Sequence, residues 1–227
     1  MKVIILAAGK GRRLGPLQSP KPLTKLANGK SILSCQVDHL LKHFSIHDIL
    51  IVVGYKKELI MEAFPDLGFV YSPGYEEENT SQSLLRALYK IEDEDLLFLN
   101  GDVVFKESVL SKLLSSKNSS LLVSETEVSE EEVKYDLKDD GSIRNISKEV
   151  KHPLGEALGI NLIRKEDLPL LKKTLKLCLP NDYFEKGIEI AIGEGLKIYP
   201  TIVSKESCME IDFPKDLERA NIIMKHW

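Results

Sequence analysis

The stretch KVIILAAGKGRRLGPLQSPKPL, residues 2–23, constrains the fold more than any other part of this chain. Val3 to Leu6 is short, apolar and rich in β-branched side chains, the pattern of a strand buried on both faces. Such a strand needs cover on two sides, so the chain has to build layers around a sheet. No helix can follow at once. Gly9, Gly11 and Gly15 tolerate unusual backbone angles, while Pro16, Pro20 and Pro22 oppose a regular helix. The same loop carries Lys10, Arg12, Arg13 and Lys21. Its amides can converge on an anion, and its arginines can grip phosphate oxygens in pairs. A tight connection with solvated cations is the plainer alternative, and the loop alone leaves both open.

The pattern beyond the loop extends the layered reading. Ile32, Leu33, Val37, Leu40, Leu41 and Phe44 recur at helical spacing, and DILIVVGY (48–55) reads as a second buried strand. FVYS (69–72) is a third, and NTSQSLLRALYKI (79–91) is a capped helix. LLFLNGDVVF is a strand running into a turn. The succession β, α, β, β, α, β predicts an α/β sheet with ligands at the carboxyl ends of its strands, near Ala7 to Gly11, Pro73 to Asn79 and Asn100 to Asp102. Residues 133–150 read as a β-hairpin around the turn at Asp139 to Ser142. From Gly155 the chain mixes strands and helices again. ALGINLI reads as a strand, KEDLPLLKKTLKLC and DYFEKGIEIAI as helices, and LKIYPTIV as a strand; CMEI, Asp212 and a closing helix near Pro214 follow.

At 227 residues the chain is expected to form a single domain, 1–227. A net charge of -4 offers no broad attraction to nucleic acid. Cys35, Cys178 and Cys208 lack metal spacing and lie in apolar stretches, so buried, reduced thiols are expected. The opening apolar run is too short for a membrane span or a leader core, which predicts a cytoplasmic protein without membrane insertion. Exposed faces of the hairpin and closing helix would allow a homodimer, and ordinary core packing explains the same apolar residues equally well.

A Walker loop needs GxxxxGK followed by Ser or Thr, and a dinucleotide fingerprint needs GxGxxG opening into a helix. GKGRRLG matches neither. The block LAAGKGRRLGPLQSPKPL, residues 6–23, instead resembles the signature of the sugar-phosphate nucleotidyltransferases, LAAGxGxRL followed by PKPL, with Arg12 where a small Thr or Ser is common. That resemblance implies a Rossmann-like three-layer α/β fold with a mostly parallel central sheet and an inserted β-hairpin lobe. It implies that Leu6 belongs to the nucleotide site, that Ala7, Ala8 and Gly9 border the base and ribose, that Gly11 and Arg13 embrace the β and γ phosphates, and that Lys21 approaches the α-phosphate.

The same resemblance makes Asp102 in NGDVVF and Asp212 in EIDFPKDLERA the two ligands of Mg2+. From position alone, either is as readily a cap or surface residue. The implied chemistry is attack by a substrate phosphate oxygen on the α-phosphorus of a nucleoside triphosphate, with pyrophosphate leaving. A phosphomonoester is largely dianionic near neutral pH, so no general base is demanded. His39, His43 and His47 form no HExxH arrangement, and no GxSxG elbow is present.

SPGYEEENTSQSLLRAL (72–88) departs from the Gln-centred segment of uridylyl- and thymidylyltransferases. Its Asn-x-x-x-Ser-Leu spacing resembles the small cytidylyltransferases that act on phosphocholine and related alcohol phosphates. This predicts CTP and a small phosphorylated alcohol as substrates, with Asn79 reading a pyrimidine edge or orienting the acceptor and Gly74 allowing close approach to the base. Asn79 as a plain helix cap is the alternative. SKEV, GEALGI and NDYFEKGI resemble stretches of that branch, which implies Lys148 at the acceptor phosphate and Glu156, Asp182 and Tyr183 around its organic part. No hexapeptide repeats follow, so a second acyltransferase domain is not expected. A sugar-1-phosphate uridylyl- or thymidylyltransferase and a non-catalytic nucleotide sensor remain the alternatives.

Overall fold

The computed structural model describes residues 1–15, 19–126 and 128–227, so Pro16, one of the helix-opposing prolines, lies outside the described residues. Strand β1 (Lys2–Ala7) is flanked by parallel neighbours, β2 (Ile49–Val53) on one side and β4 (Leu96–Asn100) on the other. β3 (Gly68–Tyr71) extends the sheet beyond β2. On the other flank, β9 (Gly155–Ile163) runs antiparallel between β4 and β6 (Ser120–Ser124), and β10 (Tyr199–Ile202) lies parallel to β6 at the edge. The order β10-β6-β9-β4-β1-β2-β3 is therefore the mostly parallel α/β sheet expected from the sequence.

Alternation along the strands divides the core into two layers. Ile4 and Leu6 of β1 and Phe98 of β4 face α3 (Thr80–Leu88), α5 (Leu168–Leu175) and α6 (Phe184–Gly193). Val3 and Ile5 face α1 (Ile32–Leu40), α2 (Lys57–Ala63) and α4 (Glu107–Leu114). Each fully buried Leu, Ile or Val contributes about 1.5–3 kcal/mol relative to exposure. Phe98 meets Phe184 edge to face, with centroids 5.0 Å apart, and so fixes the start of α6 against the sheet.

Helix α2 has no counterpart in the sequence pattern. Two parallel strands in one sheet need a crossover, and the seven residues KELIMEA supply it after Lys56 turns the chain at φ 45. Helix α4 and strand β6 are likewise additions to the sequence pattern. The hairpin is present as β7 (Lys134–Leu137) and β8 (Ile143–Ser147), and it is tied into the main sheet through β7 and β9. The three cysteines are buried free thiols. Among the described residues, no helix is long and apolar enough to cross a membrane.

A small second sheet decides where the tail goes. β5 (Val103–Phe105) pairs antiparallel with β11 (Cys208–Glu210), directly after the turn at Gly101 and Asp102. Met209 and Ile211 then pack with Ile32, Leu26 and Ala220 of the closing helix α7 (Pro214–Ile223), which holds the tail beside the β4 end.

Candidate active site

The sheet changes winding direction between β1 and β4, and their carboxyl ends open a crevice of the kind that accepts ligands in doubly wound folds. Gly101 makes the turn out of β4. Its amide donates to the Leu6 carbonyl at 2.8 Å, and a Cβ there would stand 2.8 Å from the same oxygen. Buried Gln36 of α1 donates through Nε2 to the carbonyls of Asn100 and Val103, both at 2.8 Å, which clamps the two sides of the turn. Asp102 projects from it. Across the second sheet the Ile211 amide donates to the Asp102 carbonyl, which brings Asp212 to the same point. Asp216 accepts from the Asp212 and Phe213 amides, capping α7 and orienting Asp212.

Lys21 joins these carboxylates. Its Nζ lies 2.7 Å from Asp102 Oδ2 and 2.6 Å from Asp212 Oδ1, with only 6% of the residue exposed. Burial alone would lower its pKa, but the charges of Asp102 and Asp212 and their hydrogen bonds outweigh that, and the pKa is raised. Arg13 pairs with the other Asp212 oxygen at 3.0 Å. Asp102 Oδ1 is buried without a hydrogen-bond partner. Two carboxylate oxygens already converge on one cationic atom, and a third oxygen waits unused. This donor set fits Mg2+, which takes one or two carboxylates and completes its shell with phosphate and water. Among the described residues no group of three or more His, Cys, Asp or Glu is placed to hold a metal ion.

The glycine loop is shaped around Lys21. Gly11 has φ 62, and a Cβ on it would stand 2.5 Å from the Lys21 Cβ, so Gly11 lets the loop close over the lysine stem. Gly9 is not in the left-handed region; a Cβ there would meet nothing within 4 Å, so its backbone opens directly onto the cavity. Lys10 pairs with Glu76 at 2.6 Å and bridges the loop to residues 74–78.

The crevice continues into a cavity of about 770 Å3, within the range of small-molecule sites. Leu6, Ala7, Gly9, Gly11, Arg13, Lys21, Asn79, Asp102, Lys148, Glu156, Tyr183 and Asp212 all line it. Ala8, Gly74 and Asp182 do not. Ala8 turns its carbonyl to the Tyr55 amide, and the space above Gly74 is taken by the Glu78 carboxylate. Asp182 accepts from the Leu179 amide at 2.7 Å within its own loop. Asn79 does two things: it caps α3 by accepting from the Thr80 amide at 2.9 Å, and it faces the cavity.

The cavity also holds groups that the sequence reading missed: Glu132, Glu185 and Lys205 away from the two aspartates, and Glu210 beside them. Lys205 bridges Glu132 at 3.2 Å and buried Glu156 at 2.8 Å. Burial raises the Glu156 carboxyl despite Lys205. Glu210 takes a hydrogen bond from Asn100 Nδ2 at 3.1 Å, and burial, reinforced by the charge of Asp102, holds it well above the usual carboxylate range. Burial pushes Glu185 up to about 7, against the pull of its own backbone amide and Lys148. A glutamate two residues before Asp212 in a short strand was the one available signal, for Glu210.

The fold is that of a nucleotidyltransferase. Residues 3–176 match the MobA-like NTP transferase domain, and the chain belongs to that family. CMP-5'-(3-aminopropyl)phosphonate synthase of Streptomyces rubellomurinus is 26% identical over 97% of the chain and 38% of its own length. The bifunctional protein GlmU of Methanococcus maripaludis is 37% identical over 52% of the chain and 28% of its own length. The chain thus spans less than half the length of these curated relatives. CTP:phosphocholine cytidylyltransferase (LicC) of Streptococcus pneumoniae superposes with a TM-score of 0.80 at 21% identity, covering 98% of both chains. The inositol-1-phosphate CTP transferase of T. maritima gives 0.80 at 20% identity over 99% of this chain and 94% of its own.

Proposed function

We propose that the chain is a Mg2+-dependent cytidylyltransferase that transfers CMP from CTP to a small alcohol phosphate, such as phosphocholine, and releases pyrophosphate. The observation that carries this reading is the convergence of Lys21, Asp102 and Asp212 at the floor of the cavity, between a glycine loop and an acidic far wall. The acceptor phosphate oxygen forms a bond to the α-phosphorus, and the bond from that phosphorus to the bridging oxygen of pyrophosphate breaks. No proton has to be removed from a dianionic acceptor, and no general base is assigned.

Asp102 and Asp212 would hold Mg2+, which would supply positive charge against the phosphates. In this reading Lys21, held in place by its burial, stabilises the charge that builds at the α-phosphate. Arg13, 46% exposed in its side chain, is free enough to grip the leaving phosphates. The open backbone at Gly9 receives the nucleoside, and Asn79 offers an amide group at the cavity edge. Lys148 stands at the acceptor end, 5.6 Å over the Tyr183 ring, to meet the acceptor phosphate. The chain-long relative and two structural neighbours, named for CMP or CTP, support cytidine as the nucleoside.

Uridylyl transfer to a sugar 1-phosphate is the second reading, favoured by the 34% identity over 113 residues to the UTP--glucose-1-phosphate uridylyltransferase AglF of Haloferax volcanii. Pyrophosphate release with Mg2+ across CTP, UTP, dTTP, GTP and ATP, each paired with alcohol and sugar phosphates, separates the two. Turnover confined to CTP and alcohol phosphates is the expected result. A preference for UTP or dTTP with sugar 1-phosphates would move the chain to the sugar branch, and nucleotide binding without turnover would favour a sensor.

A further inference from the structure

Helices α3, α5 and α6 pack on one another at a corner of the molecule that the proposed transfer does not use. Helix α5 buries Leu168, Leu171 and Leu175 and leaves Lys172, Lys173 and Lys176 on its other side. The chain leaves the helix as Leu177-Cys178-Leu179, and burial alternates along it: Cys178 faces inward, while Leu177 and Leu179 are 58% and 69% exposed. Leu179 is fixed there by its own loop. Its amide donates to Asp182 Oδ2 at 2.7 Å, and the Asp182 amide donates back to its carbonyl at 3.0 Å. Gln82 of α3 donates to the Cys178 carbonyl at 3.3 Å, and Lys172 and Lys176 lie 5.2 and 5.8 Å from the ring centre of Tyr89, itself 56% exposed at the end of α3. Leu179, Leu177 and Tyr89 are three of the four most exposed large apolar or aromatic side chains among the described residues, and they share this corner with the lysines.

We infer that this corner docks on an anionic lipid surface, with Leu177 and Leu179 entering the acyl boundary and the lysines meeting the headgroups. Apolar side chains that stand out from a protein and are flanked by lysines suit a bilayer interface, where each finds its own layer. Charge complementarity sets the sign of the partner. Among the described residues, Lys172 and Lys176 pair with no carboxylate, Lys173 is engaged by Glu194 and Lys186 by Glu189, and Asp182 is turned to its own loop. The chain as a whole carries a net charge of -4, so this local excess belongs to the corner and not to the protein at large. A second copy docked by two-fold symmetry would bring the same lysines against each other. The corner also adjoins the cavity. The Asn79 amide donates to the Pro180 carbonyl at 2.8 Å, and Tyr183, at the end of the same loop, lines the cavity, so docking brings the cavity edge to the lipid.

The test floats the full chain with vesicles of phosphatidylcholine alone and of phosphatidylcholine carrying about 30% phosphatidylglycerol, at low and at high salt. At low salt the anionic vesicles are expected to bind at least about tenfold more chain than the neutral ones, and high salt should remove most of that difference. Leu177→Ser with Leu179→Ser, and separately Lys172→Glu with Lys176→Glu, should each lower binding to anionic vesicles by about tenfold. Ile222→Ser, at a side chain 62% exposed on α7, should leave it unchanged. Equal binding to the two kinds of vesicle, no binding at millimolar lipid, or binding that survives both double variants would overturn the assignment. So would a dimer in sedimentation velocity that the two serines abolish, since the corner would then join copies of this chain. Flotation needs no turnover, so its result is separate from that of the transferase assay. The comparison of vesicles in the unmodified chain decides even if a variant folds poorly.

Discussion

The two ends of the cavity balance their charges differently. At the nucleotide end, Asp102 and Asp212 enclose Lys21 and are joined by Arg13, so both carboxylates have cationic partners before any ligand arrives. At the far end, Glu132 and Glu156 share Lys205, Glu131 pairs with Lys148, and Glu185 keeps an oxygen without a hydrogen-bond partner. One end is poised to exchange an internal cation for a bound one, while the other engages its lysines with its own carboxylates and leaves one oxygen unpaired. A site that joins two anions needs the first arrangement; a site that reads the organic part of an acceptor can use the second.

The largest expected effect comes from breaking the first arrangement. Asp102→Asn should lower Mg2+-dependent pyrophosphate release by about a thousandfold or more while leaving the fold intact, because one proposed metal ligand loses its charge. Normal metal-dependent rates, with a melting curve like that of the parent, would remove Asp102 from the site. Lys21→Met should lower turnover by roughly 100- to 1,000-fold. It should also let the nucleotide-free protein bind Mn2+ more tightly, since the ammonium no longer occupies the space between the two aspartates; electron paramagnetic resonance reads this without any turnover. Unchanged Mn2+ affinity would show that Lys21 and the metal do not compete.

Smaller effects test the supports. Gln36→Leu leaves the Asn100 and Val103 carbonyls without their donor, at a cost of about 2–4 kcal/mol to stability. Chemical denaturation measures that loss, and kcat should fall more than the affinity for CTP changes, since the turn carrying Asp102 loosens. The smallest effect is expected at the far end. Asp182→Ala removes the acceptor of the Leu179 amide and should destabilise the chain by about 1 kcal/mol, with little change in acceptor KM. A clear rise in acceptor KM would place Asp182 in contact with the acceptor after all.

The difference between the ends also explains what could be read from the chain. The nucleotide end is built from contiguous pieces: a buried strand, a loop whose glycine and lysine touch each other, and two aspartates that closely follow short apolar strands. Periodicity and spacing carry such features because each depends on near neighbours in sequence. Helix α2 escaped because seven residues with a single buried side chain, Ile60, leave too little period to detect. Glu185 escaped because a glutamate in the first turn of a helix reads as ordinary solvated surface. Asp182 was placed beside the acceptor by motif, yet its carboxylate closes its own loop, a choice between backbone and cavity that spacing does not record.

By itself the sequence determined the strand-and-loop start and the layered α/β sheet, which follow from local chemistry: where apolar side chains alternate and where a backbone can turn. Position alone leaves Asp102 and Asp212 as readily caps or surface residues, and it is the resemblance of their motifs to a family that links them with Lys21. Only the tertiary structure decided that Lys21 lies between the two aspartates, that Gln36 clamps the turn beneath them, and that Glu185 faces the cavity with an unpaired oxygen. Those outcomes depend on the β5–β11 pairing and on α6 docking through Phe184 onto Phe98. Lys21 meets partners 81 and 191 residues away in the chain, and contacts of that reach become specified only when the whole core closes.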